Sequence, residues 1–93
     1  MNDEVKHDQT TQEFYVETQE GKALLHYERE GDKLNFHHTF VPPELRGKGL
    51  AEKVVMAGFV YADQNQLKVI PSCPYVARLV MKNPQWKRLV VHS

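Results

Sequence analysis

At 93 residues the chain has the size of one small domain, and nothing along it separates two cores. With 41% apolar and 26% charged residues it can fold around an ordinary core, but without much surplus. Twelve basic residues balance twelve acidic ones, which argues against the clustered positive charge that a nucleic-acid partner requires. No apolar run approaches the roughly 20 residues of a membrane span. The opening Met1-Asn2-Asp3-Glu4 is polar rather than signal-like, so no membrane contact and a cytoplasmic location are expected. The single cysteine, Cys73, cannot close an internal disulfide, in keeping with a reducing compartment. Oligomeric state is not legible from these features.

Residues 1–11 are polar and aperiodic, and are expected to form a loose arm ahead of a single compact domain at 12–93. The run Glu13 to Thr18 is rich in strand formers. A turn at Gln19-Glu20-Gly21-Lys22 leads to a second strand from Ala23 to Glu28. After Glu30-Gly31-Asp32, the alternation of Leu34, Phe36, His38 and Phe40 with Asn35, His37, Thr39 and Val41 predicts a third strand with period two. Pro42-Pro43 ends it, because proline cannot donate to a ladder. Leu50, Ala51, Val54, Val55, Ala57, Gly58, Tyr61 and Ala62 then recur at helical spacing and form one broad apolar face. Leu67 to Ile70 reads as a fourth strand, Pro71 to Pro74 as a turn, and Tyr75 to Lys82 as a second helix stopped by Asn83-Pro84. Trp86, Leu89 and Val90 are expected to pin the C-terminus to the core. The order β-β-β-α-β-α predicts an α/β (α+β) fold, with a mostly antiparallel sheet of about four strands and two main helices.

The joint between the third strand and the first helix carries the chemistry. Arg46-Gly47-Lys48-Gly49-Leu50-Ala51 combines two glycines, which let backbone amides approach a ligand, with two cations. The helix start adds unpaired donors and a partial positive charge, so the segment suits a diphosphate. A tight turn with solvated charges explains the same residues without a ligand. Neither a P-loop nor a dinucleotide fingerprint fits, since Lys48 is followed by glycine and no G-x-G-x-x-G occurs.

Arg46-x-x-Gly49-x-Ala51 resembles the Q/R-x-x-G-x-G/A signature of the GNAT acetyltransferases. The run His38 to Gly49, then Pro71-Ser72-Cys73-Pro74-Tyr75-Val76 and Asn83-Pro84-Gln85-Trp86, is similar to a small YjdJ-like branch of that superfamily, over nearly all of Glu13 to Val90. The resemblance implies acetyl-CoA as co-substrate. Its pyrophosphate would lie on the amides of Arg46, Gly47, Lys48, Gly49, Leu50 and Ala51, and its pantetheine along the strand ending at Val41. The acetyl group would sit between that strand and Leu67 to Ile70. Two departures from the family are visible: there is no room for its usual pair of helices between the first strands, and Phe40 stands where the branch often has an acidic residue.

Cys73 precedes Pro74 at a helix start, where unpaired amides favour a thiolate, although a small buried hydrophobe explains it equally. His37 and His38, adjacent on a strand, are expected to point to opposite faces, which leaves no metal site. His38 is expected to share the core face with Leu34, Phe36 and Phe40. As the residue matching the branch's His-Thr pair, it is also the first choice for removing a proton from an acceptor amine. Glu44 and Glu17 are weaker bases. The function expected is transfer of acetyl from acetyl-CoA to an unidentified amine, with Cys73 and His38 as catalytic residues. The rival is a non-catalytic CoA-binding or protein-interaction module.

Overall fold

The computed structural model describes residues 4–91. Five strands form one sheet in the order β1-β2-β3-β4-β5: Lys6–Asp8, Glu13–Thr18, Gly21–Glu30, Lys33–Phe40 and Lys68–Ile70. The first four pair antiparallel, and β5 joins β4 in parallel after the crossover through α1, Leu50–Gln64. The second helix, α2, spans Pro74–Lys82 and ends at Asn83, before a 3₁₀ segment at Pro84–Leu89. The mixed α+β class and the order of the main elements are those expected. No helix among the described residues is long and apolar enough to cross a membrane.

The polar N-terminal stretch departs from expectation. Lys6–Asp8, assigned to a loose arm, pairs with β2 through Lys6↔Tyr15, His7↔Phe14 and Asp8↔Glu13. Met1 to Asp3 lie outside the described residues. One side chain accounts for the docking. The His7 ring stacks on Phe14 at 4.0 Å, meets the edge of Tyr61 at 4.5 Å, and its Nε2 lies 2.6 Å from the Tyr27 hydroxyl. Asp8 Oδ1 shapes the next turn by accepting from the amides of Thr10 and Thr11, and Gln12 follows at φ +58°. A search for apolar residues overlooks such an anchor, because imidazole has an apolar face and polar edges.

The core lies between the sheet and α1. Phe14, Val16, Ala23, Leu25, Tyr27, Leu34 and Phe36 point from the strands toward Val54, Val55, Phe59 and Ala62 of the helix, all of them buried. Phe36 and Phe59 meet edge to face at 5.4 Å, and Trp86 stacks on Phe59 at 5.4 Å. Burying each phenylalanine stabilises the fold by roughly 1.5–3 kcal/mol. Gly58 sets the closeness of helix and sheet, since a Cβ there would stand 2.7 Å from Phe36 Cζ and 3.1 Å from Leu25 Cδ2. The C-terminal segment is held by a forked ion pair, Arg88 to both Asp63 oxygens at 2.9 and 3.0 Å, and by the Val91 amide donating to the Val69 carbonyl.

The predicted alternation along β4 breaks at one residue. Tyr27 pairs with Phe36, but His26 pairs with His38, so His37 is an extra residue in the ladder. An inserted residue reverses the parity of everything beyond it. Leu34 and Phe36 face the core, whereas Phe40 is 44% exposed and Thr39 turns inward opposite Leu25. The expectation that His38 and Phe40 share the core face with Leu34 and Phe36 is therefore wrong. So is the expectation that His37 and His38 point to opposite faces: both stand on the sheet's outer surface.

Two outcomes follow from this packing. Gly58→Val should lower stability by about 2 kcal/mol or more, because overpacking displaces a buried ring; an unchanged urea midpoint would show that α1 can retreat freely. The second concerns His7, whose pKa lies below the ordinary 6.5, burial outweighing the opposite pull of Asp8. The unfolded chain thus binds the proton first. The docking of β1 stabilises fully above about pH 6.5 and weakens as pH falls through the lowered value. His7→Phe should flatten that acid-side loss in unfolding curves measured across the range.

Candidate functional site

Beyond Ile70 the partner of β4 is lost, because Pro71 cannot extend β5 as a strand donor. The chain bends so that the Cys73 amide donates to the Phe36 carbonyl at 2.9 Å, and then enters α2 with Pro74 at its first position. Thr39 in β4 and Val41 just beyond the strand are thereby left facing the start of α2.

The turn after β4 descends through a 3₁₀ segment, Pro43–Leu45, to Gly47 at φ +84° and Gly49 at φ +75°. Neither position is crowded, so glycine is needed for the left-handed backbone and not for space. Gly49 is the N-cap of α1 and supplies no side-chain cap, which leaves the first amides of the helix free of a side-chain partner. Arg46 donates through Nε to the Val41 carbonyl at 3.2 Å, tying the guanidinium to the strand end.

These residues line a cleft of about 210 Å³, with walls formed by Val41, Leu45, Arg46, Gly47, Gly49, Leu50, Ala51 and Tyr75. Of the sequence-predicted binding residues, Lys48 does not line it. Leu45 and Tyr75 do, and sequence reading missed both: each resembles an ordinary core or helix-start residue until β4 and α2 are brought together. On the far side of Tyr75 a second cleft of about 230 Å³ is lined by Glu52, Arg78, Leu79, Lys82 and Asn83. The Tyr75 phenol has its pKa raised by burial and by Glu52, with Arg78 opposing, so it stays protonated around neutrality.

Cys73, two residues before Tyr75, is 8% exposed, with Sγ 3.5 Å from Thr39 Oγ1. Burial pushes the thiol pKa up. Hydrogen bonding from the Thr39 hydroxyl, then the amide dipoles of Val76, Tyr75 and Thr39, outweigh it, and the net shift is downward. Those helix-start amides point toward the sulfur without closing a capping hydrogen bond. His38 stands on the other face of the sheet, so the geometry brings Cys73 and the glycine turn to one side and leaves His38 out.

A family model for the GCN5-related N-acetyl-transferases matches residues 13–89. The chain belongs to the GCN5-related N-acetyltransferase family. It is 32% identical over 83 residues to Protein NATD1 of Xenopus tropicalis, covering 86% of this chain and 76% of that protein. The Homo sapiens NATD1 is 31% identical over 83 residues, with 86% and 74% covered. The fold matches the solution structure of a GCN5-like protein from Staphylococcus aureus with a TM-score of 0.76 and 27% identity, over 99% of this chain and 91% of the other. Within the acetyltransferase family, this chain has no helix before β4 among the described residues; β1 to β4 follow one another through turns.

Thr39→Val removes the leading hydrogen bond to the sulfur and leaves its burial in place. The titration midpoint of Cys73 should then move up, and labelling by an alkylating probe near neutral pH should slow. An unchanged pH–rate profile would show that the hydroxyl is not what lowers the thiol pKa.

Proposed function

We propose that the chain binds acetyl-CoA across the two clefts and transfers its acetyl group to an amine. The observation that carries this reading is the left-handed Gly47 and Gly49 turn, which presents uncapped helix amides and Arg46 to a cleft of diphosphate size within an acetyltransferase fold. The pyrophosphate would lie on the Arg46 to Ala51 turn, with charge added by Lys48 at the rim. Pantetheine would run along Val41 toward Thr39. Arg78 and Lys82 in the second cleft supply cations for the remaining phosphate of the cofactor.

In this reading the thioester reaches the gap between β4 and α2. The Cys73 thiolate attacks the acetyl carbon, the carbon–sulfur bond to CoA breaks, and the neutral Tyr75 phenol gives its proton to the departing CoA sulfur. An amine then displaces Cys73, its proton passing to water and Tyr75 being reprotonated from solvent. With Cys73 unreactive, direct attack of the amine on the thioester uses the same binding site. His38, on the outer face, is not in place to serve as the base, and water takes that role. The narrower placing in the YjdJ-like branch rests on the three sequence motifs, and a cytoplasmic location on the free thiol of Cys73, which suits a reducing compartment.

The direct succession of β1 to β4 through turns among the described residues favours a second reading, a CoA-binding or interaction module without turnover, since the walls of an acceptor site are reduced. Acetyl-CoA turnover across a broad amine panel separates the two: saturable binding without transfer supports the module.

Arg46→Ala should weaken CoA by about tenfold or more, the usual worth of a charged hydrogen bond to phosphate, and leave pantetheine nearly unaffected. Calorimetric titration of both ligands is the check. Equal losses for both would mean that Arg46 only holds the turn through its bond to Val41. Cys73→Ala should abolish an acetyl adduct seen by intact-protein mass measurement, and full activity in that variant would leave direct transfer as the mechanism.

A further inference from the structure

We propose that the outer face of the sheet carries a binding site for a zinc-class divalent cation, built from His26 and Glu28 of β3 and His37 of β4. One ligand atom from each of these side chains lies within 4.8 Å of the other two. His37 Nε2 stands 3.8 Å from Glu28 Oε1, and the His26 and His37 rings meet edge-on at 4.9 Å between centroids.

Alternation along two neighbouring strands makes this grouping. His26 and Glu28 share the outer face by simple alternation along β3, two residues apart. His37 reaches that face by the alternation that turns Leu34 and Phe36 inward, beside the step where pairing jumps from His26↔His38 to Tyr27↔Phe36. All three side chains thus arise from two neighbouring strands at one interrupted rung, on the opposite side of the sheet from the CoA cleft.

Two imidazoles and a carboxylate form a donor set for zinc, copper or nickel rather than magnesium or calcium, which take oxygen ligands. Tetrahedral zinc with bonds of about 2.0–2.1 Å brings its ligand atoms to roughly 3.3 Å apart, a closure that side-chain rotation on an open face can supply. Water completes the coordination. A bound cation would tie β3 to β4 where the bulge has broken the ladder.

Zinc chloride titrated calorimetrically into the full chain tests this. One equivalent is expected to bind, with affinity reduced at least about tenfold in each of His26→Gln, Glu28→Gln and His37→Gln, and retained in His38→Gln. Zinc should raise the melting temperature of the wild type and not that of His37→Gln, whose melt without zinc also reports that it folds. In the unaltered protein the ring resonances of His26 and His37 should shift on zinc addition while those of His7 stay in place. Absence of uptake, uptake undiminished in all three ligand variants, abolition by His38→Gln alone, or unmoved His26 and His37 resonances would each overturn the site.

Discussion

One inserted residue in β4 decides how this small molecule is arranged. In a flat antiparallel pairing, Leu34, Phe36, His38 and Phe40 would all face α1, and Thr39 and Val41 would face solvent. The bulge at His37 exchanges those sets from that point on. Thr39 then meets Cys73, Val41 enters the wall of the cleft, and His38 joins His37 on the outer surface. The two faces of the sheet acquire different chemistry from a single local irregularity: a thiol and a glycine turn on one, and an imidazole-rich surface on the other.

The inner face depends in turn on how closely α1 approaches the sheet. Gly58 allows Phe36 and Leu25 to come within van der Waals distance of the helix backbone, and Phe59 and Trp86 extend the stack toward the C-terminal segment. That contact fixes the helix that begins at the glycine turn. Core packing and the candidate site are thus coupled through one rigid element, anchored by apolar burial at its middle and left open at its start. The same economy shows at Cys73, where burial and hydrogen bonding act on the thiol in opposite directions and Thr39, delivered by the bulge, tips the balance.

Much of this organisation is determined by the sequence alone. The periodicities from Glu13 onward are strong and local, so strand and helix positions follow from residue type, with Leu50 beginning α1 where the glycine turn predicts. The glycine turn is equally legible, since positive φ at Gly47 and Gly49 is a property of the residues themselves. The motif Arg46-x-x-Gly49-x-Ala51 named the family for the same reason: its residues are contiguous. Only the tertiary structure decided the rest. A bulge leaves no composition signal, because His37 and His38 are compatible with either parity, and the reversal is set by packing of Phe36 and Thr39 against different neighbours. The strand at Lys6–Asp8 depends on the ring of His7 meeting Phe14, Tyr27 and Tyr61, residues up to 54 positions away, so a window of polar residues read by itself looks unfit to order. Tyr75 and Leu45 became cleft walls, and His38 turned to the face away from the cleft, through contacts and orientations that no local pattern encodes.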